Sequence, residues 1–156
     1  MRAEGSLEIA ASAEEAWDAL TNAEVIVGCV PGGSSVTVES VGPTELRLSG
    51  KIGQGFLRLK AEGHVDLTAL DRPSAAEARL RASLAGTSLE ATVALEFAAL
   101  EPRLTRVAWT ADATIAGPLA GMATPYVERD GASVIARTLE CVKARLEAGP
   151  APEAAA

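Results

Sequence analysis

The stretch LEIAASAEEAWDALTNAEVIVGCVPGG, residues 7–33, decides the fold. Leu7-Glu8-Ile9 alternates apolar, charged and apolar, and reads as the end of a strand. Ser12 stands where a helix N-cap belongs and Glu15 follows three residues later. That is a capping box, in which each side chain satisfies a backbone N–H that the first helical turn leaves unpaired. Ala16, Trp17 and Leu20 then fall on one face. Asn22 caps a second short helix in the same way. Pro31-Gly32-Gly33 ends it, because proline cannot continue the hydrogen-bond ladder and glycine permits the reversal. About a hundred residues of strands and one long helix follow. This order predicts an α+β domain in which a curved antiparallel sheet of six or seven strands wraps around the C-terminal helix. Such an architecture usually encloses an apolar cavity.

From Ser34 onward the hydrophobic period is two. Val36 and Val38, then Leu46 and Leu48, alternate with polar neighbours. Leu57, Leu59, Ala61, Gly63, Val65 and Leu67 share one face, and Arg58, Lys60, Glu62, His64 and Asp66 the other. The pattern recurs at Ala76–Leu84, Leu89–Phe97 and Val107–Ile115. One wet and one dry face is the mark of an antiparallel sheet covered on one side. Gly42-Pro43, Gly53-Gln54-Gly55, Asp71-Arg72-Pro73, Gly86-Thr87 and Glu101-Pro102 read as turns. Gly117-Pro118 opens a helix with proline at its first position. It runs to about Glu147, with Pro125 inside it and a bend expected near Gly121–Pro125. Ile135, Leu139, Val142 and Leu146 form its apolar stripe. We expect one domain over residues 1–147 and a disordered tail over 148–156.

Composition narrows the function. The chain has 156 residues, 48% hydrophobic but only 3% aromatic, so its apolar side chains are mostly Ala, Val and Leu. The net charge of −7 argues against nucleic acid, whose phosphates need a basic face, and against unaided docking on anionic lipid. No stretch approaches the roughly 18 apolar residues of a membrane span, and the N-terminus has no apolar signal core. The protein reads as cytoplasmic, without stable membrane insertion. Cys29 and Cys141 are far apart and in no CxxC pair, so the expectation is two reduced, buried thiols.

Catalytic chemistry has little to work with. His64 is the only histidine, and parity puts it on the wet face between Glu62 and Asp66. That reads as a solvated side chain, with no third ligand for a metal. One histidine leaves almost no room for a nucleophile–base system. Gly53-Gln54-Gly55 is too short for a phosphate-binding fingerprint. The carboxylates Glu62, Asp66, Glu77, Glu90, Glu96 and Asp112 all have outward parity, so a buried acid/base couple has no home. No metal and no cofactor are expected.

The dry face carries the stronger signal. Ala61, Gly63, Ala76, Ala78, Ala82, Ala91, Ala111 and Ala113 are all small and fall on consecutive strands. Alanine in place of leucine removes three carbons, at about 0.8 kcal/mol per buried methylene. Eight such positions forgo on the order of ten kcal/mol or more if the space stays empty. Either the last helix lies close on the sheet there, or an apolar ligand fills the space. Candidate ligand-binding residues are Ala61, Gly63, Ala78, Leu80, Ala91, Trp109 and Ala111 on the sheet, with Met122 and Tyr126 from the helix. Met adapts to irregular contacts, and the Tyr126 hydroxyl either anchors a carbonyl or reaches water.

Taken together, the strand–helix–helix opening, the Ser12–Leu20 helix with Trp17, and Asn22-Ala23-Glu24-Val25…Cys29-Val30-Pro31-Gly32 resemble the carbon monoxide dehydrogenase G-subunit (CoxG) family. That family lies within the START/Bet v 1-like (SRPBCC) helix-grip superfamily. Lys51-Ile52-Gly53, Gly63 with Asp66-Leu67, and Gly117…Leu119-Ala120 add to the match, which spans about residues 5–147. The chain departs from the family pattern at Ala85-Gly86-Thr87, at Gln54, and in its Pro/Ala tail, where many relatives have an apolar anchor. The resemblance implies a non-catalytic accessory protein that carries a hydrophobic small molecule, a quinone or a lipid, and assists a molybdenum-containing CO dehydrogenase-type oxidoreductase. Two other readings stand beside it: an enzyme of the polyketide cyclase or hydratase type, which needs polar groups on the dry face, and an assembly protein with a filled core.

Overall fold

A computed structural model describes residues 2–29, 37–42, 44–54 and 57–148, with the backbone alone at 23, 40, 51–54, 57–59, 123 and 126. The expected Pro31-Gly32-Gly33 stop, the Pro43 and Gly55 turn positions and the tail from 149 lie outside the described residues. The elements run β1 (Arg2–Ile9), α1 (Ala13–Leu20), α2 (Ala23–Cys29), β2 (Thr37–Ser40), β3 (Glu45–Gln54), β4 (Leu57–Leu67), β5 (Ala75–Leu84), β6 (Thr87–Glu101), β7 (Leu104–Ala116) and α3 (Ala120–Glu147). The seven strands form one curved antiparallel sheet in the order β1-β7-β6-β5-β4-β3-β2. Consecutive strands pair from β2 to β7, and β1 closes on β7, so short turns suffice everywhere except where α1 and α2 intervene.

Local chemistry accounts for the helices. The Ser12 side chain accepts from the Glu15 N–H at 3.1 Å and the Glu15 carboxylate accepts from the Ser12 N–H at 3.3 Å. Asn22 Oδ1 accepts from the Glu24 N–H at 3.0 Å and caps α2. Long-range bonds then seat α1 on the sheet. Trp17 Nε1 donates to the Ala75 carbonyl at 2.9 Å, and Arg72 grips Asp18 through two bonds of 2.8 and 2.9 Å. That guanidinium holds the Asp18 carboxyl below its ordinary range. Hydrogen bonds from Ser12, opposed by slight burial and aided by Arg103, do the same for Glu15.

The core gathers at one end of the molecule. Ile9, Ala16, Leu20, Phe97, Val107, Trp109, Leu139 and Val142 are buried together. Leu139 and Val142 come from the predicted stripe of α3, whose other members, Ile135 and Leu146, pack against them. The helix therefore covers the face opposite His64, as the parity of the strands requires.

Two expectations need correction. Cys29 and Cys141 are not free thiols: the structure joins them in a disulfide with Cα atoms 5.6 Å apart. Packing of α2 along α3 brings together residues 112 positions apart, a proximity no local pattern reports. Secondly, α3 begins at Ala120 and not at Pro118. Gly117 takes φ +126°, and the turn it opens holds Pro118. The helix start is served from another strand, where Thr87 Oγ1 accepts from the Leu119 N–H at 2.7 Å.

Candidate functional site

Register converts the small residues into a surface. On the inner face Leu46, Val65, Leu80, Ala91 and Ala113 form one row across the sheet. Leu67, Ala78, Val93, Ala111 and Ala3 form the next. Leu48, Gly63, Ala82, Leu89 and Ile115 form a third, and Ala61 pairs with Leu84 beside it. The predicted sheet residues Ala61, Gly63, Ala78, Leu80, Ala91, Trp109 and Ala111 thus share one face of one sheet. Val65, Leu67, Ala82, Leu89, Val93 and Ala113, on the same face by parity, are their neighbours in the register. Their parity was visible, but only the register shows that they are neighbours.

The cover on this face is uneven. Ala111 and Trp109 are 4% and 5% exposed and belong to the core. The indole lies over Gly5, where an added Cβ would meet ring atoms at 2.8 Å. Ala61, Val65, Leu67, Ala78, Leu80, Ala82, Leu89, Ala91 and Val93 are only half-buried, and Gly63 is buried between its neighbours. The cause is the path of α3, whose close approaches are concentrated on β1, β7, α1 and α2. The middle of the sheet is therefore an apolar lane that the helix does not seal. Met122, from the first turn of α3, is 71% exposed. Tyr126 lies one turn further along α3, and its side chain is outside the described residues.

Polar groups on the inner side are engaged in holding the fold. Thr105 Oγ1 donates to the Ala11 carbonyl at 2.9 Å, Thr138 Oγ1 to the Val134 carbonyl at 2.8 Å, and Thr87 serves α3. Among the described residues no buried side-chain nitrogen or oxygen lacks a partner, and no group of three His, Cys, Asp or Glu is placed to hold a metal. The carboxylates lie on the outer face in cross-strand rows such as Asp66–Arg79–Thr92–Asp112 and Arg47–His64–Arg81–Glu90. Open troughs of about 660 and 430 Å³ run over this charged side. The first is bordered by Asp66, Arg79, Arg81, Glu90 and Asp112. Each row sets an arginine directly opposite a carboxylate, Arg79 beside Asp66 and Arg81 beside Glu90, as cross-strand pairs on a solvated face do. Among the described residues no helix is long and apolar enough to cross a membrane.

Comparison with known proteins agrees with this geometry. The model of the carbon monoxide dehydrogenase G-subunit (CoxG) family matches residues 5–147. A comparison with curated proteins finds no match. Among solved structures, a conserved protein from Geobacillus kaustophilus superposes with a TM-score of 0.79 at 15% identity, covering 94% of this chain and 95% of its own. A START superfamily protein from Mycobacterium smegmatis gives 0.63 at 16% identity, with 93% and 98% covered. The ZhuI aromatase/cyclase from Streptomyces sp. R1128 gives 0.61 at 14%, with 97% and 99% covered. At these identities the likeness is one of fold.

Proposed function

We propose that this chain, which belongs to the carbon monoxide dehydrogenase G-subunit (CoxG) family, is a non-catalytic accessory protein that holds a quinone or lipid on the inner face of its sheet. The observation that carries this reading is the half-buried apolar lane of Ala61, Ala78, Leu80 and Ala91, flanked by Val65 and Val93 and left unsealed by α3. Apolar surface left in water at the centre of a domain costs free energy that a ligand recovers. In this reading Gly63 lets a ligand approach the backbone of the floor, Ala111 and Trp109 end the lane toward the core, and Met122 and Tyr126 form its rim. The protein acts in the cytoplasm and delivers its ligand to a molybdenum-containing CO dehydrogenase-type oxidoreductase. The cyclase-type alternative is less well supported, because the inner-face polar groups described above are committed to backbone partners and the carboxylates face outward.

Native mass spectrometry of the purified protein, before and after organic extraction, tests the proposal. The expected result is one quinone- or lipid-sized molecule per chain that extraction removes and a short-chain quinone replaces. A protein at its sequence mass that takes up neither a short-chain quinone nor a fatty acid would overturn it.

A further inference from the structure

We infer that the Cys29–Cys141 disulfide is a thiol–disulfide exchange site, at which a protein dithiol unlatches α2 from α3. The argument starts from α2 itself. Seven residues are too few for a helix to persist alone in water, so its place depends on tertiary ties. Those ties are the disulfide at its last residue, the bond of 3.3 Å from Arg145 Nη2 to the Gly28 carbonyl, and the packing of Val25 and Ile26 on the core. The other side of the latch is anchored independently: α3 is held by Leu139 and Val142, buried on either side of Cys141. Breaking the bond therefore removes the covalent tie of α2 and leaves its end on one exposed hydrogen bond and the packing of Val25 and Ile26, while α3 keeps its own anchors.

The surroundings favour exchange at one particular sulfur. Cys29 is 8% exposed, whereas Cys141 is half-buried and the more approachable of the two. A reductant thiolate attacks Sγ of Cys141, and the bond to Cys29 breaks with its electron pair leaving on Cys29 Sγ, which takes up a proton. The second thiol of the reductant then attacks the mixed disulfide and releases Cys141. The pair gains two electrons and two protons, and the dithiol becomes a disulfide. The Arg145 guanidinium sits against Gly28, the residue before Cys29 in the chain. In a reducing compartment a bond of this kind is transient and redox-responsive rather than permanent.

The test uses the full oxidised chain and reduced thioredoxin as the dithiol, under native conditions. Two thiols per chain should appear. Amide hydrogen exchange over residues 23–29 should accelerate at least tenfold, while β6 and β7 change less than twofold. The Cys141→Ser variant should reproduce the α2 exchange of the reduced protein, and if that variant does not fold, the reduced wild type alone decides. Absence of released thiols without denaturant, release with α2 exchange unchanged, or acceleration throughout the chain would each overturn the inference. None of these readouts depends on ligand binding.

Discussion

Replacing Ala91 and Ala111 separately by leucine distinguishes an open lane from a filled core. Each change adds three carbons, worth about 2.4 kcal/mol if fully buried at about 0.8 kcal/mol per methylene. Ala91 lies between Leu80 and Ala113 in a row that is half-buried. Only part of the transfer gain is available there, and ordering the new side chain costs roughly 0.5–1 kcal/mol. Ala91→Leu should therefore leave stability within about 1 kcal/mol of wild type, on either side. Ala111 is 4% exposed, paired with Ala3 and Val93 and two residues from the buried Trp109. Added volume there must displace packed neighbours, at a cost of about 1–3 kcal/mol. With a urea dependence of about 2 kcal/mol per molar, the Ala111→Leu midpoint should fall by roughly 0.5–1.5 M while that of Ala91→Leu stays near wild type. Quinone uptake by Ala91→Leu should drop at least tenfold, because the leucine occupies the lane. Equal loss of stability in both variants, with uptake unchanged, would refute the open lane and leave an assembly protein with a filled core.

Gly5→Ala should push the Trp109 indole from its seat, since the new Cβ would stand 2.8 Å from three ring atoms. We expect a loss of about 1–3 kcal/mol with a shift in tryptophan emission, and an unchanged urea midpoint would count against the described packing. The Asp18–Arg72 pair makes a pH prediction. The folded-state pKa of Asp18 is lowered by Arg72, so its contribution is present above the unfolded value near 3.9 and is lost as pH falls through the folded value. Both side chains are about half exposed, so Asp18→Asn should cost less than about 1 kcal/mol at pH 7, and the gap from wild type should close below about pH 4. A gap that widens on acidification would reverse the sign of the argument.

What the sequence determined by itself is whatever depends on neighbours along the chain. The capping box at Ser12 and Glu15, the Asn22 cap, the outward parity of His64 and the carboxylates, and the core stripe of α3 all rest on contacts within a turn or on the two-residue period of a strand. Each is therefore legible without knowing where the chain goes next. The same parity placed Ala61, Gly63, Ala78, Leu80, Ala91, Trp109 and Ala111 on one face. Parity alone, however, cannot say which of them the last helix covers. That depends on the path of α3, which buries Ala111 and Trp109 and leaves the lane around Ala91 half open. Tertiary structure also decided the remaining points: Thr87 serving the start of α3, Gly5 beneath Trp109, Trp17 bonded to Ala75, and the joining of Cys29 to Cys141. In each case the partners are tens of residues apart or more, so only the closed sheet with its helices brings them within bonding distance.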